Sequence, residues 1–326
     1  MESYMNRISN TGIVPVVKIL EKEDAYPLAK ALLNGGIDVI EVTYRSEHAT
    51  SAIQTISEQL PDMLVGAGTV LSVEQAKEAV EAGAKFIITP GFNTKVVQWC
   101  LDHDVEVYPG VSTASEVEMA LSMGLTQLKF FPAESSGGAK KLKDLSAPYA
   151  NVHFMPTGGI NTKNMHDYLS LPNVEAIGGS FMLPNDLVVA KDWDGIEALS
   201  KAAIKSLLDF QLIHVGINTN SPEESKQVTD TLCSLFHFTQ YTKPKSNFAG
   251  VGFEILHKKG RGDGHIGIYT PYPEKAMYHL SKQGVKFVEE SITRNKKTNR
   301  INFVYLDLEI AGFGIHLINP DLKMEI

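Results

Sequence analysis

Between residues 13 and 180 the chain alternates short apolar runs with longer stretches whose apolar positions recur at helical spacing. The apolar runs cover 13–19, 39–42, 63–66, 86–88, 105–108, 127–130, 152–155 and 176–178. Between them, amphipathic patterns over 24–33, 49–59, 73–82, 94–103, 114–122 and 164–169 predict helices. Ser72 precedes VEQAKEAVEAG in the position of an N-cap, and Gly83 follows it like a helix stop. Eight strand–helix units in this span predict an α/β chain folded as a small (β/α)8 barrel. An open doubly wound sheet would carry a glycine-rich turn after its first strand. Here Leu20-Glu21-Lys22-Glu23-Asp24 follows instead, which weighs against it.

Residues 193–210 read as a terminal helix, with Asp194 as its cap. From residue 211 the rhythm changes. QLIHVGINT predicts a strand, and SPEESKQVTDTLCSLF a helix capped by Ser221, with Pro222 in its first turn and Glu224 three residues on. Strand-like pieces follow around 248–256. The order then repeats, with GHIGIYT as a strand, PEKAMYHLSKQG as a helix, and strands around 286–288, 301–307 and 314–318. This weak repeat predicts two similar halves packed together. The chain therefore divides into a barrel over 1–210 and an α+β domain over 211–326.

Composition narrows the function. Apolar residues make up 43% and charged residues 21% of the 326, ordinary values for a globular chain. Two distant cysteines, Cys100 and Cys233, predict neither a disulfide framework nor a cysteine-based zinc site, and fit a reducing cytoplasm. The opening MESYMNRISNTG lacks the apolar core of a signal peptide, and no apolar run approaches membrane-spanning length. A cytoplasmic protein with no membrane partner is expected. The net charge of −8 is uneven, with 16 basic and 26 acidic residues over 1–210 against 14 and 12 over 211–326. The acidic barrel would repel phosphate backbones, so nucleic acid is not expected as a partner. The one basic run, with Arg294, Lys296, Lys297 and Arg300, reads as a solvated loop.

In such barrels chemistry sits at the C-terminal strand ends. Those ends carry Glu41-Val42-Thr43-Tyr44-Arg45, Gly66-Ala67-Gly68-Thr69, Thr89-Pro90-Gly91, Pro109-Gly110, Lys129-Phe130-Phe131-Pro132, Pro156-Thr157-Gly158-Gly159 and Gly178-Gly179-Ser180. Lys129, flanked by Leu128, Phe130 and Phe131, should point inward and be desolvated. Desolvation disfavours an ammonium and frees the amine to attack a ketone. Glu41 is a candidate acid/base or an ion-pair partner of Arg45 or Lys129. Arg45 could clamp a carboxylate through two hydrogen bonds. Glycine pairs after strands seven and eight occupy the usual phosphate site of these barrels.

The motifs EVTYR, VGAGTV, FIITPG, YPGVST, LKFFPAE, PTGGI and IGGS resemble, in order and spacing, the 2-keto-3-deoxy-6-phosphogluconate (KDPG) / 4-hydroxy-2-oxoglutarate (KHG) aldolase family over residues 8–208. The resemblance implies a cofactor-free class I aldolase on a TIM barrel, assembled as a homotrimer or larger. It implies Lys129 as the Schiff-base nucleophile and Glu41 as the proton-transferring carboxylate. Arg45 and Thr69 would receive the pyruvoyl carboxylate, while Pro90, Phe131 and Thr157 line the pocket. Gly158, Gly159, Gly179 and Ser180 would hold phosphate. The implied partners are a phosphorylated keto-deoxy sugar acid and pyruvate. At Tyr44 a leucine is more usual.

In the second part, HVGIN, GHIGIY and FGIHLIN resemble the glyoxalase / vicinal-oxygen-chelate (VOC) superfamily, whose fold pairs two βαβββ modules. Carried over by motif, the candidate ligands of a divalent metal are His214, Glu254, His265 and His316. The family's usual last ligand is a glutamate, so His316 is a departure. Three functional alternatives stand at this point. The chain is an aldolase with an accessory module, a bifunctional enzyme with metal chemistry in its second part, or a non-catalytic sugar-acid sensor.

Overall fold

The computed structural model describes residues 4–296 and 298–320. Contacts divide the chain into two compact units, Met1–Leu207 and Leu208–Ile326.

In the first unit the strands are β1 (Ile13–Val17), β2 (Val39–Thr43), β3 (Leu64–Gly68), β4 (Phe86–Ile88), β5 (Glu106–Tyr108), β6 (Gly110–Val111), β7 (Gln127–Phe130), β8 (His153–Pro156) and β9 (Ile177–Gly179). Parallel strands covered on both faces need apolar residues throughout rather than in alternation, and β2 and β3 are buried at every position. The pairing runs β5-β4-β3-β2-β1-β9, with β6-β7-β8 as a separate ladder. β5 and β6 flank Pro109 and form one barrel strand between them, since Pro109 has no N–H to give a ladder but its carbonyl accepts from Lys129 N at 3.0 Å. On the other side a bridge between Thr157 and Gly178 links the β8 end to β9. The ring of eight strand positions therefore closes.

Helices Ala25–Asn34, Ala49–Gln59, Val73–Glu81, Thr94–Asp102, Ala114–Ser122, Gly138–Ser146 and Met165–Leu169 form the outer layer. Ser72 caps the third of these, accepting from Gln75 N at 3.2 Å. The expected cap of the terminal helix, Asp194, lies inside its first turn. The helix spans Trp193–Leu208, and it is Asp192 Oδ1 that accepts from Gly195 N at 2.9 Å, because a cap must stand outside the first turn. A helix over Tyr4–Thr11, which the hydrophobic pattern did not reveal, places Ile8 in one core cluster with Val14, Val39 and Leu64 near the strand starts. It plugs the end of the barrel opposite the strand C-termini.

The second unit reads βαβββ twice. The first module is β10 (Gln211–Ile217), helix Pro222–Phe236, β11 (Gln240–Lys243), β12 (Ser246–Ala249) and β13 (Phe253–Leu256). The second is β14 (Gly264–Tyr269), helix Pro273–Ser281, β15 (Phe287–Arg294), β16 (Ile301–Ile310) and β17 (Phe313–Ile318). All eight strands form one sheet, ordered β11-β12-β13-β10-β14-β17-β16-β15. In each module the first and last strands pair in parallel, and β10 joins β14 antiparallel at the centre. Ser225 on the first helix donates to Ile255 O at 2.8 Å and accepts from Asn247 Nδ2 at 2.9 Å, so that helix covers one sheet face. Arg294 ends β15 and Lys296 is exposed beyond it; Lys297 lies outside the described residues. Among the described residues no helix is long and apolar enough to cross a membrane.

Candidate active site and a histidine cluster

A cavity of about 510 Å³ opens where the barrel strands end. That volume is ordinary for a small-molecule site. All eleven barrel residues singled out from the sequence line it: Glu41, Arg45, Thr69, Pro90, Lys129, Phe131, Thr157, Gly158, Gly159, Gly179 and Ser180.

Glu41 is the middle residue of β2 and is fully buried. It fits because the neighbouring strand has a glycine, since a Cβ on Gly68 would stand 2.1 Å from Glu41 Oε1. Lys129, on β7, is 4% exposed. Its Nζ donates to both Glu41 oxygens, at 3.0 and 3.3 Å, and lies 5.3 Å from the centre of the Phe131 ring. Of the alternatives for Glu41, the ion pair is therefore with Lys129.

Arg45 follows β2 and its Nε donates to Thr43 Oγ1 at 3.1 Å, while Thr43 donates to Val17 O at 2.7 Å. A buried hydroxyl thus steers the arginine stem. Thr69 has φ +54°, a left-handed conformation unfavourable for a β-branched residue. Thr157 is buried over Gly178, where a Cβ would meet its hydroxyl at 2.2 Å. Gly158 and Gly159 have φ of +105° and +79°, values that glycine adopts without steric cost. Consecutive glycines so turned can aim their N–H groups at an anion.

The cavity also includes Val16, Ile160, Asn161 and Phe181, which the sequence reading passed over. Val16 belongs to an apolar strand and reads as core filling. Ile160, Asn161 and Phe181 directly follow the PTGG and GGS motifs, and adjacency was their only signal.

In the second unit, the four residues carried over by motif also come together. His214, His265 and His316 are 8%, 6% and 1% exposed. His214 Nε2 lies 3.1 Å from both His265 Nε2 and His316 Nε2. Glu254 Oε2 lies 3.4 Å from His214 Nε2 and 3.3 Å from His265 Nε2. Ser246 donates to the other Glu254 oxygen at 2.7 Å. Burial pushes the Glu254 carboxyl up. Hydrogen bonds from His265 and Ser246, with charge on His214 and His265, outweigh burial and hold it at about 2.

Whether a metal fits can be judged from these distances. One Nε2 carries at most one proton, so His214 cannot donate to both neighbours. Donors about 2.1 Å from one ion, at angles between square and tetrahedral, lie about 3.0–3.4 Å apart. These four separations match that spacing, and three imidazoles with one carboxylate suit zinc or another later first-row divalent ion.

Comparison with known proteins bears on the first unit. The family model described as "KDPG and KHG aldolase" matches residues 5–199. The 2-dehydro-3-deoxy-phosphogluconate aldolase of Treponema pallidum is 44% identical over 205 residues, 63% of this chain and 98% of that protein. The KHG/KDPG aldolase of Escherichia coli K12 is 44% identical over 199 residues, covering 61% of this chain and 93% of that protein. Among solved structures, the Legionella pneumophila KDPG aldolase with pyruvate captured as a covalent carbinolamine is 40% identical. It has a TM-score of 0.60 and covers 62% of this chain and 99% of that one. The Zymomonas mobilis ZM4 aldolase with 3-phosphoglycerate is 36% identical, with a TM-score of 0.58 and coverage of 61% and 94%.

Proposed function

The chain belongs to the KDPG and KHG aldolase family, and from that premise we propose that it cleaves 2-keto-3-deoxy-6-phosphogluconate to pyruvate and glyceraldehyde 3-phosphate. 4-Hydroxy-2-oxoglutarate, giving pyruvate and glyoxylate, is the secondary substrate of the same site. The observation that carries this reading is the buried Lys129–Glu41 pair at the floor of the strand-end cavity.

The chemistry follows from the placement. Lys129 Nζ, relieved of a proton, adds to the C2 ketone, and loss of water gives an iminium. The iminium accepts the electron pair of the C3–C4 bond as it breaks, leaving an enamine. Glu41 takes the C4 hydroxyl proton, directly or through a water, and returns a proton to the enamine carbon. Hydrolysis frees pyruvate and restores the amine. Arg45 and Thr69 hold the carboxylate beside the ketone. The Gly158–Gly159 and Gly179–Ser180 turns hold the phosphate. Since the iminium is the electron sink, this mechanism calls for no metal or organic cofactor. A homotrimer or larger assembly goes with this reading, and light scattering on the purified chain measures it.

Borohydride reduction in the presence of pyruvate tests the proposal against a sugar-acid sensor. A stable adduct on Lys129 is expected. Its absence, in a protein that still binds the keto acid, would sink the aldolase reading.

For the second unit, His265 Nε2 and His316 Nε2, each 3.1 Å from His214 Nε2, support a divalent metal centre on a VOC-like module of paired βαβββ repeats. His214, Glu254, His265 and His316 would hold the ion, and Ser246 fixes the Glu254 carboxylate. A bound ion would supply Lewis acidity to an oxygen ligand. Metal analysis of the purified chain should find one ion that is lost when the three histidines become alanine. Chelation should leave pyruvate release unchanged.

A further inference from the structure

The three imidazoles stand in a register with three glycines. Across β10, β14 and β17, one row reads Gly216, His265, Gly314 and the next reads His214, Gly267, His316. Residues two apart on a strand share a face, so histidine and glycine alternate in both directions on a single sheet face. The sequence order matches strand direction. The antiparallel strands β10 and β14 both carry His-x-Gly, whereas β17, parallel to β14, carries the reversed Gly-x-His. Glycine weakens a strand interior, and its presence often marks a close approach.

Here the approach is of the imidazoles themselves. A Cβ on Gly216 would stand 2.0, 2.2 and 2.4 Å from three atoms of the His265 ring. A Cβ on Gly267 would stand 2.5, 2.7 and 2.9 Å from three atoms of the His214 ring. Each of these two rings therefore fills the space that a Cβ on the neighbouring strand's glycine would need, the arrangement is reciprocal, and the two rings stand at 88° to one another. Gly314 differs, because its Cβ would meet only Arg261 and Tyr305 side chains, at 3.4 Å, an ordinary contact.

We propose that Gly216 and Gly267 are positioning residues of the metal centre, leaving the space that the His265 and His214 rings occupy so that their Nε2 atoms converge. This rests on the metal reading above. A methyl group at either glycine must displace the ring, and metal–ligand bonds tolerate displacements of only about 0.2 Å.

The test is zinc titration of the full-length chain after stripping with EDTA. Wild type should bind one zinc. Gly216→Ala and Gly267→Ala should each weaken zinc binding roughly 10- to 100-fold, the usual effect of disturbing groups that orient metal ligands. Gly314→Ala should bind as wild type does. Global misfolding is separated by Gly216→Ala combined with His265→Ala. Truncating His265 removes the three atoms nearest the methyl, so the double variant should melt where His265→Ala melts. Unchanged zinc affinity in Gly216→Ala and Gly267→Ala overturns the proposal, as does a double variant melting well below His265→Ala. A wild-type chain that binds no zinc removes the metal reading itself, and that failure is visible before any glycine is changed.

Discussion

Lys129 Nζ and the Glu41 carboxylate meet at 3.0 and 3.3 Å, with both side chains buried. Two charges withdrawn from water are costly unless they satisfy each other, and removing one partner strands the other. Lys129→Ala should therefore lose stability as well as activity, by about 3–5 kcal/mol. Lys129→Met with Glu41→Gln removes both charges at similar volume and should recover most of that loss. Neither variant should cleave the keto-deoxy acid above background, because no neighbouring group replaces a covalent electron sink. Retro-aldol assays and urea unfolding on the same preparations check both points. A Lys129→Met/Glu41→Gln chain that still releases pyruvate contradicts the mechanism.

Thr69 holds a left-handed φ of +54° at the rim of the cavity. Such strain in a non-glycine residue costs about 1–3 kcal/mol and survives where the side chain is needed. Thr69→Gly should raise the unfolding midpoint, with a gain of about 1 kcal/mol. It should also raise KM if, as proposed, the Thr69 hydroxyl receives the substrate carboxylate. If stability rises and KM stays fixed, Thr69 has no part in substrate binding.

The phosphate assignment has a sharper handle in Gly159. An alanine there must adopt φ +79°, and its Cβ would stand 2.6 Å from Glu134 Cγ. The same Cβ would also stand 2.8 Å from Glu134 Cβ, which side-chain rotation cannot move, so the backbone must change. Gly159→Ala should raise KM for the 6-phosphorylated substrate about tenfold or more while leaving 4-hydroxy-2-oxoglutarate, which has no phosphate, nearly unaffected. Equal losses on both substrates would show that the turn shapes the whole cavity rather than a phosphate subsite.

What was readable from sequence follows from physical range. Barrel strands are short, apolar and evenly spaced, so their positions show in local pattern. The strand-end motifs show because glycine, lysine and glutamate are conspicuous beside apolar runs. The helix over Gly138–Ser146 was missed because GGAKKLKDLS opens on two glycines and holds few apolar positions. β11 was missed because every residue of QYTK is exposed, leaving no alternation to detect. Asp194 reads as the cap from the sequence, but the helix starts at Trp193, which leaves Asp192 outside the first turn to cap it. The pairing of Glu41 with Lys129, 88 residues apart, is set by barrel closure. The histidine–glycine alternation needs strand register. His214-Val215-Gly216 is visible as a string, but nothing local says that His265 lies over Gly216.

Cys100 offers a test of packing that is independent of the chemistry. It is fully buried in the helix Thr94–Asp102, and burial pushes its thiol from 9.0 up to about 12. Below pH 9.0 the thiol is protonated in folded and unfolded chains alike, so stability is untouched. Between about 9 and about 12 the unfolded chain has released a proton that the folded chain still holds, and stability falls as pH rises. Other groups titrate in this range, so Cys100→Ala serves as the reference. From pH 8 to pH 10.5 the wild type should lose about 2 kcal/mol more than that variant. In the native state a thiol reagent should modify Cys233, which is partly exposed, and reach Cys100 only on unfolding. Parallel pH slopes for the two chains, or two thiols reacting at equal rates without denaturant, would mean that the Thr94–Asp102 helix opens readily and that its buried face contributes little to the barrel wall.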